Sequence, residues 1–361
     1  VDNTGPTISV VVTNNDDSST INNTSPPTTT NASAITATFT ISEVTTDFVS
    51  SHVNVSGGSL DSFSGSGTTY TAVITPSSEI VRINVSANRF TDAVGNLNSA
   101  LTQFVMFSDT TAPASQKTQG VVTTGGDNQV AGYWNSGNTG VDITVQIADD
   151  SSINGGTVQL LVSTDGGGSF VPLDTPSTIS AVNTNKTISV ASGVLEGVAG
   201  FGESDVLQFK ATITDTSGNA TTGTVSDTTL TVDQTAATIS TSSIASDNAT
   251  VTLAKTGDTV TLTIATNENV SSPTVTFTSG GAAATNADTV SGASPGTSFT
   301  SAYTVDASDT DGTVAISITA TDVAGNTTSG FTTISAGSVT VDQTAPASQK
   351  TQGVVTTGGD N

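Results

Sequence analysis

Eighteen consecutive residues occur twice in this chain. Thr111 to Asn128 and Thr344 to Asn361 both read TAPASQKTQGVVTTGGDN, 233 positions apart. Chance does not produce a match of that length, and self-similarity at long period decides an architecture before any local reading does. The sequence is expected to be cut from a tandem array, stopping just after a new copy begins. A shorter signal divides the array further. Val1-Asp2-Asn3-Thr4-Gly5-Pro6 is echoed by Ser108-Asp109-Thr110-Thr111-Ala112-Pro113, by Val232-Asp233-Gln234-Thr235-Ala236-Ala237 and by Val341-Asp342-Gln343-Thr344-Ala345-Pro346. The successive Asp residues lie 107, 124 and 109 positions apart, each about the roughly 100 residues of one β-sandwich. A second motif keeps step: Asp92-Ala93-Val94-Gly95-Asn96, Asp215-Thr216-Ser217-Gly218-Asn219 and Asp322-Val323-Ala324-Gly325-Asn326. Three domains are expected, 1–108, 109–232 (a longer variant with inserted hairpins) and 233–341. Residues 342–361 would start the next repeat as a copy of 109–128.

Composition narrows the partners. The chain has 31 acidic and 7 basic residues, a formal charge of −24. Phosphate backbones and anionic membranes are bound through clustered Lys and Arg, so neither nucleic acid nor a membrane surface is an expected partner. Acidic surfaces keep long proteins soluble and attract cations. There is no Cys, which removes disulfides and thiolate metal sites. Bacterial surface proteins fit that usage, since they often stabilise domains by metal instead. No apolar run approaches the roughly 20 residues of a membrane span. No secretion signal is visible, but Val1 falls inside a linker motif, so the natural N-terminus is expected elsewhere.

Alternation of apolar and polar residues points to strands with one dry and one wet face. Ile35, Ala37, Phe39 and Ile41 alternate with Thr36, Thr38 and Thr40; Val81, Ile83, Val85 and Ala87 alternate with Arg82 and Asn84. Val141, Ile143, Val145 and Ile147 repeat the pattern, as do Leu207, Phe209, Ala211 and Ile213. Further on, Val260, Leu262 and Ile264 match Val314, Ile316, Ile318 and Ala320. No helical periodicity extends beyond one turn. An all-β chain of packed antiparallel sheets is expected.

The stretch from Ile35 to Asn96 contains FTISEVTTDF, GGSLDSFSGSGTTYTAVITP and FTDAVGN. It resembles a bacterial immunoglobulin-like repeat: a strand ending in Ser-Glu, a Gly-Gly turn, a Tyr-Thr-Ala strand and a closing Asp-x-x-Gly-Asn. Gly132-Tyr133-Trp134-Asn135 followed by Asn138-Thr139-Gly140-Val141 resembles another such repeat type from very large bacterial surface proteins. The third domain keeps mainly Asn267-Glu268-Asn269, Asp322 to Asn326 and the linker. The resemblance implies immunoglobulin-like sandwiches stacked head to tail, as in giant adhesins, where calcium often sits between neighbours.

In a seven-strand sandwich of the usual order, the incoming chain, the loop after the second strand and the loop before the last strand meet at one pole. Those places hold Asp2, Glu43 and Asp92 in the first domain, Asp109, the pair Asp149 and Asp150, and Asp215 in the second, and Asp233, Glu268 and Asp322 in the third. Three carboxylates without a counter-charge repel one another and their pKa values rise. Calcium, with about 6–8 oxygen ligands, relieves that. One or more calcium ions at each junction are therefore expected. The plainer reading of any single Asp is a tight turn bonded to its own backbone, with Gly-Asn suited to left-handed positions.

Other signals point away from chemistry. Ser163-Thr164-Asp165-Gly166-Gly167-Gly168-Ser169-Phe170 resembles the Asp-box of sialidase propellers and is read as a hairpin turn. Glu203 and Asp205 are placed in a solvated loop before a strand. His52, the single histidine, is read as a surface strand residue. Lys210 alternates with Phe209 and Ala211 and should face solvent, unlike the buried Lys of an internal cross-link. Tyr133 and Trp134 are read as a plug rather than a sugar-stacking platform. The run Leu101 to Phe107, apolar on both faces, hints at a lateral contact. The expected function is a non-enzymatic stalk segment of a large extracellular or cell-surface bacterial protein, an adhesin, whose neighbours are repeats of the same chain and whose ligand is met by a tip outside this sequence. Two alternatives stand beside it: a filament or surface-layer component contacting copies of itself, and a carbohydrate-binding module.

Overall fold

The computed structural model describes residues 1–126, 129–286 and 290–348. The expected start of a new repeat at 342–361 therefore lies mostly outside the described residues. The protein divides into two compact units, one of Val1–Val121, Asp142–Ala199 and Leu207–Thr229, the other of Val122–Val141, Gly200–Val206 and Leu230–Asn361. Residues expected to form the middle sandwich contribute to both.

In the first unit, one sheet runs in the order Thr20–Ile21, Ile8–Asn14, Ile35–Thr45, Gly58–Pro76, and a second in the order Thr29–Thr30, Phe104–Ser108, Ile80–Val85, Val53–Ser56. Alternation makes them a sandwich. Ile35, Ala37, Phe39 and Ile41 face Val81, Ile83, Val85 and Met106 in one buried core. The wet face of the first strand carries Thr, a residue suited to exposed strands. Phe48 closes one side of the core, its ring 4.8–5.7 Å from those of Phe39, Phe63, Tyr70 and Phe90. Ala87 lies beyond the strand and is exposed, because pairing stops at Val85. His52 is not on a strand. It ends a short 3-10 turn, Ser50–His52, beside Phe48. The apolar run near Leu101 is covered partly by its own chain: Thr29–Thr30 pairs with it in parallel, and Asn23 binds the backbone of Gln103 and Val105.

Elsewhere in this unit, Thr157–Ser163 lies between Val171–Thr178 and Val206–Thr214, paired antiparallel with both. Ile143, Val145, Ile147, Leu207, Phe209, Ala211 and Ile213 are all buried, as is Val141 of the second unit. The Asp-box stretch is the turn after Thr157–Ser163. Asp165 accepts from the amides of Gly168 and Ser169 and from the hydroxyls of Ser163 and Ser169. The Lys210 ammonium rests 3.9 Å over the Phe170 ring.

In the second unit, Ile239–Ser246, Thr259–Val270, Gly296–Thr304 and Ser291–Gly292 form one sheet. Leu253–Ala254, Thr340–Val341, Gly312–Thr321, Thr274–Ser279 and Ala282–Ala283 form the other. Val260, Leu262 and Ile264 meet Val314, Ile316 and Ile318 in its core. Tyr133–Trp134 pairs in parallel with Leu230–Val232, and Trp134 is fully buried. Trp134 is thus a plug, with no face open for stacking.

Candidate metal centre

The Asp-x-x-Gly-Asn loops share one geometry. The Asp amide donates to the Asn carbonyl at 3.2, 3.0 and 3.0 Å, and the Gly amide donates to the Asp carbonyl at 3.3 Å in all three. Gly95, Gly218 and Gly325 hold φ of +95°, +95° and +99°, which glycine adopts without strain. The Asn residues are not left-handed, contrary to the turn reading. Their work is different. Each closes onto its loop Asp, whose Oδ1 accepts the Asn amide and whose Oδ2 accepts the Asn Nδ2. The same Nδ2 donates to linker carbonyls: Asn96 to Asp2 and Thr4, Asn219 to Asp109, Asn326 to Asp233. The loop Asp is thereby drawn to the linker Asp.

The Glu arrives by another device. Pairing of Ile35–Thr45 with Gly58–Pro76 is regular to Thr40 opposite Thr69 and resumes at Thr45 opposite Gly67. Glu43 sits in the bulge between. In the second unit the register breaks between Ala265 and Val270, and Glu268 sits in that bulge. Bulges re-aim side chains off a regular sheet. The neighbouring residue is anchored identically: Ser42 and Asn267 each donate an amide to Thr7 or Thr238, and each accepts that residue's amide on a side-chain oxygen.

Two carboxylate groups result. Asp2, Glu43 and Asp92 offer oxygens all within 4.8 Å of one another, and Asp233, Glu268 and Asp322 do the same. Two oxygens on one calcium at about 2.4 Å can stand at most about 4.8 Å apart, so both sets fit a shared hard cation. The first lines a recess of about 100 Å³ with Val44, Ala93 and Val94, ample for an ion with bound water. Charge crowding shows in the acidities. Burial, then the charges of Asp2 and Asp92, push the Glu43 carboxyl up. Burial, then Asp322, push Asp233 up to about 6, with further contributions from Glu268 and Glu203. Burial, then Asp322, also raise Glu268. Burial works to raise Asp92 too, but its bonds from Asn96, Val94 and Gly95 prevail and hold it below the ordinary carboxylate range. An acid that stays ionised among unpaired acids is suited to a cation.

The middle set is different. Asp109 and Asp215 are joined by Ser217, whose hydroxyl donates to Asp109 at 3.1 Å and whose amide donates to Asp215 at 2.8 Å. Asp149 is exposed, and Asp150 spends Oδ1 on the amide and hydroxyl of Ser152, capping the turn Ser151–Ile153. Among the described residues these acids form no three-member group.

Glu203 lies in an exposed turn before the strand Val206–Thr214, as expected, but sequence reasoning did not bring it near the second group, where its charge contributes to raising Asp233 and Glu268. Its carboxylate accepts the Gln234 amide at 3.1 and 3.3 Å, beside Asp233. The signal was its position in the acidic Gly-Glu-Ser-Asp loop, which sequence alone does not bring to the linker. Among the described residues, no helix is long and apolar enough to cross a membrane.

Residues 2–109 match the sequence profile of the bacterial Ig-like domain family. No curated protein matches the chain. Among solved structures, the chain is similar to a tetra-tandem repeat from the extending region of a large adhesion protein. The identity is 20%, over 94% of this chain and 74% of that one, with a TM-score of 0.25. It is also similar to the FN1-FN3 domains of chicken CNTN1, at 11% identity over 83% and 93% of the two chains and a TM-score of 0.29. The titin I-band fragment I67-I69 matches at 9% identity over 88% and 94%, with a TM-score of 0.31.

Proposed function

We propose that this chain is a non-enzymatic structural segment of an extended bacterial extracellular or cell-surface protein, an adhesin stalk, in which calcium bound at the linker poles restrains the joints between successive β-sandwiches. The observation that carries it is the paired construction of the two carboxylate groups. Asp2, Glu43 and Asp92 come from a linker, a bulge and a glycine loop, and Asp233, Glu268 and Asp322 come from the same three places. Turn chemistry explains each Asp singly: the Asp2 side chain accepts the Thr4 amide, as any turn-opening Asp does. It does not explain a Glu set on a bulge in both copies, facing two other acids. Oxygen-only donors, several carboxylates and nearby loop carbonyls are the ligands calcium takes, and a softer metal would call for His or Cys.

Carboxylates that repel without the ion and ligate with it make the linker direction depend on calcium. Such coupling gives a tandem array a stiffness set by its surroundings. Calorimetric titration of the chelator-treated chain tests the reading. Expected are saturable heat at two or more sites and a rise in melting temperature with millimolar calcium. No heat and no rise would end the metal role, leaving a β-sandwich array whose joints need another explanation.

A further inference from the structure

Each of three sandwich ends repeats a two-residue parallel strand followed by a polar residue: Thr29–Thr30 then Asn31, Tyr133–Trp134 then Asn135, Leu253–Ala254 then Lys255. The following linker Asp donates its amide to the last strand carbonyl each time: Asp109 to Thr30 at 3.0 Å, Asp233 to Trp134 at 2.9 Å, Asp342 to Ala254 at 2.9 Å. The residue after the strand is therefore presented next to the linker, toward the glycine loop beyond it.

Two of the three Asp-x-x-Gly-Asn loops are met by that residue. In the second unit, Asn135 Nδ2 donates to the Ala324 carbonyl at 2.7 Å, and the amide and hydroxyl of Ser136 donate to Asn326 Oδ1 at 3.0 and 2.8 Å. Ala324 is fully buried as a result. In the first unit, Asn31 stands so close to Gly218 that a Cβ there would lie 3.1 Å from its Nδ2. The third loop, Asp92 to Asn96, has the same internal bonds but the opposite surface. Val94, the counterpart of Ala324, is 66% exposed, with Val44 at 57% and Leu97 at 52% around it.

We infer that the Val44, Val94 and Leu97 face around the Asp92–Asn96 loop is a docking surface for an Ig-like sandwich that presents an Asn-Ser turn after its short parallel strand, as Tyr133 to Ser136 does. The occupant is fixed by the counterpart: the Val94 carbonyl and Asn96 Oδ1 are the acceptors that Ala324 and Asn326 offer to Asn135 and Ser136. The apolar rim supplies surface for burial that the polar turn does not. This clasp borders the carboxylate recess, which Val44 and Val94 also line, but it uses only neutral donors and acceptors and so operates with the ion removed.

The test is an extended chain with a second copy of residues 109–232 joined ahead of Asp2, its Val232 taking the place of Val1, studied in chelator throughout. Amide exchange across residues 88–100 is expected to slow about tenfold or more relative to the present chain, because loop opening must then break the docked contacts. Leu97→Gln, a neutral change at an exposed position outside the carboxylate recess, should restore the faster exchange. Equal exchange with and without the added sandwich, or protection that survives Leu97→Gln, would overturn the inference. A second measurement covers an added copy that does not fold. In the present chain, Asn135→Ala should speed exchange across residues 322–328, and unchanged exchange there refutes the clasp.

Discussion

Asp233→Asn is expected to act in opposite directions with and without calcium. Burial and the charges of Asp322, Glu268 and Glu203 raise the Asp233 carboxyl from 3.8 to about 6. One pKa unit corresponds to about 1.4 kcal/mol, so ionised Asp233 costs the metal-free fold about 3 kcal/mol at most, or about 1–3 kcal/mol once partial solvent exposure is discounted. A folded pKa above the unfolded one means that the folded state binds more protons between pH 4 and 6, and stability falls as pH rises through that window. The cost is fully present at pH 7 and absent below pH 4. Asparagine keeps an oxygen to accept from Asn326, which donates to Asp233 Oδ1 at 3.2 Å, and it carries no charge. In chelator at pH 7 the variant should therefore be more stable by about 1–3 kcal/mol, and the difference should vanish at pH 4. In millimolar calcium the order should invert, because the variant loses a charged ligand. Urea unfolding at the two pH values, with chelator and with calcium, gives all four differences. A variant less stable than the wild type in chelator at pH 7, or a difference that ignores pH, would refute the electrostatic account of this site.

Three further outcomes follow from the same geometry. Asn326→Ala removes a buried side chain that ties the linker to its loop and accepts from Ser136, and should cost about 2–4 kcal/mol in thermal unfolding, with or without calcium. Gly218→Ala places a Cβ at positive φ against Asn31 and should cost about 1–3 kcal/mol by urea titration, whereas Gly95→Ala meets no neighbour and should show the backbone cost alone. Trp134→Ala should lower stability by about 3–5 kcal/mol, the cost of emptying a fully buried site, measured by calorimetry.

The strands were legible because a residue pattern of period two fixes which face is dry without reference to anything distant. Ile35 to Ile41 and Val314 to Ala320 are buried as their alternation requires. The linker Asp and the glycine loop were legible because they recur in step. What sequence did not reveal depends on register. Whether a Glu is flat on a sheet or raised on a bulge turns on a three-residue mismatch between strands, Thr40 to Thr45 against Thr69 to Gly67, that neither strand announces alone. The middle set was expected from the same strand order and is not gathered: Asp149 is exposed, and Asp150 caps the turn Ser151–Ile153 through Ser152. Glu203 was placed correctly in its exposed turn, but its nearness to the linker was not legible, because its partner, Gln234, is 31 residues away along the chain.

These differences separate two kinds of joint by charge. Where Asp233, Glu268 and Asp322 meet, three acids share a partly buried space with the charge of the exposed Glu203 nearby, and the raised pKa values of Asp233 and Glu268 show that hydrogen bonds alone do not balance it. Where Asp109 and Asp215 meet, Ser217 and Asn219 supply neutral donors to two acids, and the third acid is elsewhere. An ion adds most where repulsion is greatest and least where donors already satisfy the oxygens. Removal of calcium should therefore loosen the linker at Asp233 while leaving the linker at Asp109 as it is. Amide exchange near Gln234 that rises on chelation, with exchange near Thr110 unchanged, is the pattern this charge balance requires. An equal rise at both linkers would mean that the count of acids does not determine which joint depends on the ion.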